Sequence, residues 1–163
     1  MVYKRIVMEY RKLIEIELRE FDRETLEKSW EWLNDPQLKS LTMTPDFDQE
    51  SQEKWFESLK TRNDYHLKAG WYNGVPISVY GLKHITGSDA ELFGYIGEKE
   101  LWGKTAAIQM MQDVIAYARS RNLESLYCIT LKENKRTYRL CSRFGFKTEK
   151  EVTDETIMMR LYL

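Results

Sequence analysis

The chain has 163 residues, a formal net charge of −1, 42% hydrophobic residues and 31% charged residues. These values suit one folded domain over residues 1–163, large enough to bury about two thirds of its unfolded surface. They give no broad electrostatic attraction to nucleic acid or anionic lipid, so neither is expected as a partner. No apolar run approaches the roughly 20 residues that span a bilayer. Residues 1–10 hold no apolar core of signal-peptide length, and the expected location is cytoplasmic. Cys128, Cys141, His66 and His84 are the whole complement of their types and show no metal-ligand spacing, so no disulfide framework and no metal site is expected.

Taken in order, residues 1–10 could form an extra strand or a lead-in. Near-alternation of Leu13, Ile14, Ile16 and Leu18 predicts a strand over 11–19. Asp22 can cap a helix through Leu33, with Leu26, Trp30 and Leu33 on one face. Asn34-Asp35-Pro36 breaks it, and a short second helix reaches Leu41. A further helix is predicted over 48–62, with Phe47, Trp55, Phe56 and Leu59 as its apolar side. The tryptophans Trp30, Trp32 and Trp55 serve either as core or as the wall of a substrate cleft.

From Tyr65 the period changes to two, predicting strands over 65–72 and 75–84 joined by Asn73-Gly74, both tolerant of the positive φ of a type I′ turn. A third antiparallel strand follows over 90–97. The next helix, 105–121, carries Ile108, Met111, Ile115 and Ala118 at helical spacing, and Asn122 can end it. Residues 123–131 read as a buried strand, parallel to the one before the helix by the right-handed crossover rule. A helix over 133–144 stops at Gly145, and strands over 146–150 and 156–163 close the chain. The fold class is α/β, a mixed and mainly antiparallel sheet with helices.

The stretch from Glu91 to Ala107 is a strand, a turn of small residues and a helix start. It gathers free backbone N–H groups at the positive end of a helix dipole, a place that suits phosphate. Gly103, Thr105, Ala106 and Ala107 allow close approach to the backbone, and Lys104 adds charge. The loop lacks the upstream glycine of a Walker sequence and the Gly-x-Gly-x-x-Gly of a dinucleotide site.

The strand, turn and helix are followed by Asn134, with Gly145 and Phe146 eleven and twelve residues later. This spacing resembles the closing motif of the GNAT superfamily of acyl-CoA N-acyltransferases. Trp102-Gly103-Lys104 is similar to that family's pyrophosphate loop. It is particularly similar to that of the branch of ribosomal-protein N-terminal and aminosugar acetyltransferases, which Ile16-Glu17-Leu18-Arg19 and Trp32-Leu33-Asn34-Asp35-Pro36 also resemble. The resemblance covers about residues 11–163.

It implies a central splayed parallel pair of strands and acetyl-CoA as acyl donor, without a metal. It also implies transfer within a ternary complex to a small-molecule amine, such as an aminosugar nucleotide, or to a protein N-terminus. Tyr95, Ile96 and Gly97 would lie along the pantetheine. Trp102 opens the loop, and the N–H groups of Gly103, Lys104, Thr105, Ala106 and Ala107 would hold the pyrophosphate. Asn134 would approach the arm from the far side.

Glu91 occupies the place of a general-base glutamate, or is a solvated carboxylate; His84 is a weaker candidate. The family's usual loop Gly is Thr105 here, and its usual Arg or Gln is Trp102. The Tyr that often protonates the leaving thiolate is Cys141, which is either an acid or a small core residue, and Tyr138 lies one helical turn earlier. These departures keep open a non-catalytic coenzyme-binding or interaction domain. An exposed final strand could also pair two copies as a homodimer.

Overall fold

The computed structural model describes residues 13–163; the expectation for residues 1–10 lies outside them. Its centre is one seven-stranded sheet in the order β1-β2-β3-β4-β5-β7-β6. The strands are β1 (Glu17–Glu20), β2 (His66–Tyr72), β3 (Val75–Lys83), β4 (Asp89–Ile96), β5 (Ser125–Leu131), β6 (Lys147–Glu151) and β7 (Thr156–Tyr162). The helices are α1 (Arg23–Asn34), α2 (Pro36–Leu41), α3 (Gln49–Ser58), α4 (Ala106–Ser120) and α5 (Lys135–Arg143). Every neighbouring strand pair is antiparallel except β4 with β5.

The turns follow from the residues that make them. Asn73 and Gly74 both have positive φ, +51° and +77°, as the β2–β3 hairpin requires. Asp22, Asp35 and Asp48 each accept backbone N–H groups at the starts of α1, α2 and α3. Asn122 (φ +57°) and Gly145 (φ +95°) turn the chain after α4 and α5.

Two apolar clusters sit on opposite faces of the sheet. The larger joins Leu82, Ala90, Leu92, Leu126, Cys128 and Met159 to Met110, Val114 and Ala118 of α4 and to Cys141 of α5. The smaller joins Val79, Phe93 and Tyr95 to Trp32 and Leu38 of α1 and α2. Alternation along β4 divides its side chains between these faces.

Four expectations need correction. β1 is only Glu17–Glu20, because the N–H groups of Ile14 and Ile16 are bonded to the side chains of Thr105, just before α4, and Gln109 of α4 and not to a strand. In α1 the buried residues are Thr25, Leu26, Ser29 and Trp32; Trp30 instead packs edge-on against Phe47. The third helix stops at Ser58, and none of its residues is buried; Trp55 and Phe56 pack around Phe21 at the surface. The last strand, β7, is flanked by β5 and β6 and so is not an edge.

Candidate active site

β4 and β5 are paired only at Asp89–Ser125, Ala90–Leu126 and Glu91–Tyr127. Beyond Glu91 the strands part, while β4 stays bonded to β3 as far as Ile96 and β5 to β7 as far as Leu131. A wedge therefore opens in mid-sheet. The Gly97 N–H donates to Ile77 O at 2.8 Å, towards β3. Antiparallel ladders alternate, so the polar backbone groups of Phe93 and Tyr95 also face β3, and those of Leu92, Gly94 and Ile96 face the wedge.

Of the predicted residues Tyr95, Ile96 and Gly97, only Ile96 presents its backbone to the wedge. Tyr95 packs edge-on against Trp32, and burial pushes its phenol up. Gly94 was missed by the sequence reading. It is exposed, and a Cβ there would come within 3.0 Å of Tyr80.

At the mouth of the wedge, Trp102 Nε1 donates to Ile96 O at 2.7 Å. The guanidinium of Arg136, at the start of α5, lies 4.6 Å from the centroid of the Trp102 ring, a cation–π contact. Arg136 is a second residue that sequence reasoning missed; its neighbour Trp102 is distant in the chain.

The N–H groups of Gly103, Lys104, Thr105, Ala106, Ala107 and Ile108 donate to no described residue, and the first bond into α4 is Gln109 N–H to Thr105 O at 3.3 Å. Gly103 has φ +75°, which lets the loop turn its amides to one side. Thr105 needs no such freedom at φ −83°. Its hydroxyl accepts from Ile14 N–H at 3.0 Å and donates to Ile14 O at 2.7 Å. Gln109 adds bonds to Ile14 O and Ile16 N–H. The Thr therefore clasps the segment before β1 onto the head of α4 and leaves its own N–H free. Thr105→Val should cost about 1–2 kcal/mol for the two lost bonds, measured as a fall in the denaturant midpoint with an unchanged slope.

Glu91 lies at the vertex of the wedge and is buried. Its carboxylate lies 3.7 Å from Lys83 Nζ and 2.8 Å from His84 Nδ1. Glu91 is the register partner of Lys83 on β3 and of Tyr127 on β5. Burial first, and then the carboxylates of Glu91 and Asp89, push the Tyr127 phenol up.

On the other flank, Asn134 caps α5, accepting from Thr137 N–H at 3.2 Å. Tyr138 is 41% exposed, whereas Cys141 is 1% exposed. The Cys141 thiol lies 3.5 Å from that of Cys128; that contact and burial push it well above the usual thiol range. Its surroundings are those of a core residue. Among the described residues no group of His, Cys, Asp and Glu is arranged to hold a metal ion, and no helix is long and apolar enough to cross a membrane.

The fold is shared with solved structures. A spermidine N-acetyltransferase from Vibrio cholerae, in complex with CoA and spermine, matches with TM-score 0.82 and 18% identity, over 90% of this chain and 95% of that one. A domain from Methanocaldococcus jannaschii matches at 0.79 and 18%, over 91% and 99%. The N-acetyltransferase PseH of Campylobacter jejuni matches at 0.69 and 18%, over 90% and 97%. No curated protein matches by sequence. Residues 15–147 match the family model described as an acetyltransferase (GNAT) domain. With the mid-sheet wedge and the free amides at the head of α4, that match places the chain in the GNAT acetyltransferase family.

Proposed function

We propose that the chain is an N-acetyltransferase that moves an acetyl group from acetyl-CoA directly to a primary amine in a ternary complex. The observation that carries this reading is the alignment of three features: a wedge beside β4, unbonded amides at the head of α4 and a buried carboxylate at the vertex. The residues fit the donor. The amides from Gly103 to Ala107 and the Lys104 ammonium suit a pyrophosphate, and Asn134 flanks the wedge from α5. The wedge-facing groups of Gly94 and the N–H of Ile96 suit the amides of a pantetheine arm. When bound, the donor supplies an activated acyl carbon and a thiol leaving group.

The chain then has a short list of tasks. A wedge-facing N–H of β4 stabilises negative charge developing on the acyl oxygen. Glu91 takes the proton of the acceptor amine. With Cys141 enclosed in the core, Tyr138 or solvent protonates the departing thiolate. The acceptor is a small amine or a protein N-terminus; two of the similar structures are named for action on spermidine and as PseH, both N-acetyltransferases.

The test is a thermal-shift titration with acetyl-CoA, followed by thiol release with spermidine, an aminosugar nucleotide and a peptide with a free N-terminus. Stabilisation with turnover supports the reading. Stabilisation without turnover on a broad amine panel identifies a coenzyme-binding domain, the alternative that the burial of Cys141 favours. No stabilisation at millimolar coenzyme overturns both. Lys104→Ala should weaken acetyl-CoA binding about tenfold, the value of one charge-assisted contact, with kcat at saturation unchanged. An unaltered Kd removes Lys104 from the phosphate site.

A further inference from the structure

Lys83 and His84 are consecutive, yet both reach one carboxylate. Lys83 is the register partner of Glu91, and its Nζ addresses Oε1. In a regular strand the next side chain would leave on the opposite face. His84 instead adopts a left-handed backbone, φ +52°, which non-glycine residues seldom take. That kink returns the imidazole to the Glu91 side, where Nδ1 lies 2.8 Å from Oε2. The Glu91 side chain is 11% exposed and that of His84 is 57% exposed. The imidazole is thus in contact with both the enclosed carboxylate and water.

We propose that His84 is the proton exit for Glu91, a positioning residue that aims the carboxylate and empties it between turnovers. The proposal rests on the reading of Glu91 as the base. The acceptor ammonium breaks an N–H bond and Glu91 gains the proton as a carboxylic acid. While Glu91 is ionised the ring donates its Nδ1–H to the carboxylate. Once Glu91 carries the proton, exchange with water moves the ring proton from Nδ1 to Nε2, and the acid O–H breaks as the freed Nδ1 accepts the proton and the ring becomes imidazolium. The imidazolium releases its Nε2 proton to water, which restores the carboxylate and the Nδ1–H that faces it.

The other charged groups around this pair are engaged. Asp64, before β2, is held by Arg62 at 2.8 Å. Asp89 of β4 is held by Arg160 of β7 at 3.2 Å. Lys83 faces Glu91 itself, and the Tyr127 phenol on β5 is held up and stays protonated. Of these side-chain types, imidazole is the one that ordinarily changes charge between about pH 5 and 8.

His84→Gln keeps a donor for Glu91 but cannot pass a proton on. The assay is thiol release from acetyl-CoA with the best of the three acceptors above, across pH and at low and high imidazole buffer. At low buffer the variant should lose about tenfold in kcat, with KM for acetyl-CoA unchanged. It should also recover rate as imidazole is raised. A His84 that only braces the strand predicts no buffer dependence. Wild-type kcat and pH profile in His84→Gln overturn the relay; if Glu91→Gln is slow in the same assay, the base reading survives. Glu91→Gln as fast as wild type removes the base and the relay together. Without turnover, the His84 Nδ1 resonance in nitrogen NMR should differ between wild type and Glu91→Gln; identical resonances at every pH overturn the contact on which the relay depends.

Discussion

Glu91→Gln should lower kcat about a hundredfold or more, the usual worth of a placed general base, while leaving acetyl-CoA affinity unchanged. The substitution keeps the shape of the side chain at the vertex of the wedge, so the β4–β5 pairing at Glu91–Tyr127 is preserved. The groups it leaves behind, the Lys83 ammonium and the His84 imidazole, have side chains 33% and 57% exposed and can turn to water. Stability is therefore expected to change little, and a lost rate would report on chemistry. Unchanged turnover with a good acceptor would show that the amine reaches the acyl carbon already deprotonated.

The second large effect is structural and belongs to Trp32. Its indole is 5% exposed, packs on Tyr95 and donates to Glu98 at 3.1 Å. It also fills the space beside Gly97, where a Cβ would stand 2.0 Å from the ring. Trp32→Ala should cost about 3–5 kcal/mol. Gly97→Ala alone should cost about 1–3 kcal/mol by overpacking. The two are one contact seen from both sides, so in the Trp32→Ala background the Gly97 change should cost almost nothing. Denaturation of the four proteins of that cycle reads the coupling, expected at about 1–3 kcal/mol. Additive losses would mean that the alanine methyl finds room without moving the ring. Lys99, bonded to the α2 cap Asp35 at 2.9 Å, would then carry more of the anchoring of the loop.

The order of strands and helices could be read from the chain because each turn carries its own local chemistry. Asn73-Gly74, the Asp caps and Gly145 act within a few residues of themselves. The amides at the head of α4 were legible for the same reason. What escaped was set by partners distant in sequence. Thr105 stood only as a departure from the family's loop glycine, because Ile14, which its hydroxyl clasps, lies 91 positions away. Trp30 and Trp32 have similar sequence surroundings, and only the contact with Gly97 and Glu98 decides which is buried. Glu91 and His84 were each visible as candidates. Their contact depends on a left-handed residue at a strand end, which no periodicity announces.

The wedge also bears on how the chain avoids sticking to others. β4 is the middle strand of the sheet, yet past Glu91 it carries a row of unpaired backbone groups on one flank, as an outermost strand does. Exposed rows of that kind template the addition of foreign strands. The outer strand β6 is guarded in the ordinary way, with Lys147, Glu149, Lys150 and Glu151 all exposed. The inner row is guarded differently: Trp102 occupies the Ile96 carbonyl and Arg136 covers the ring with a charge. A protein that keeps a half-open strand at its centre thus protects it with one aromatic side chain and one cation placed across the opening.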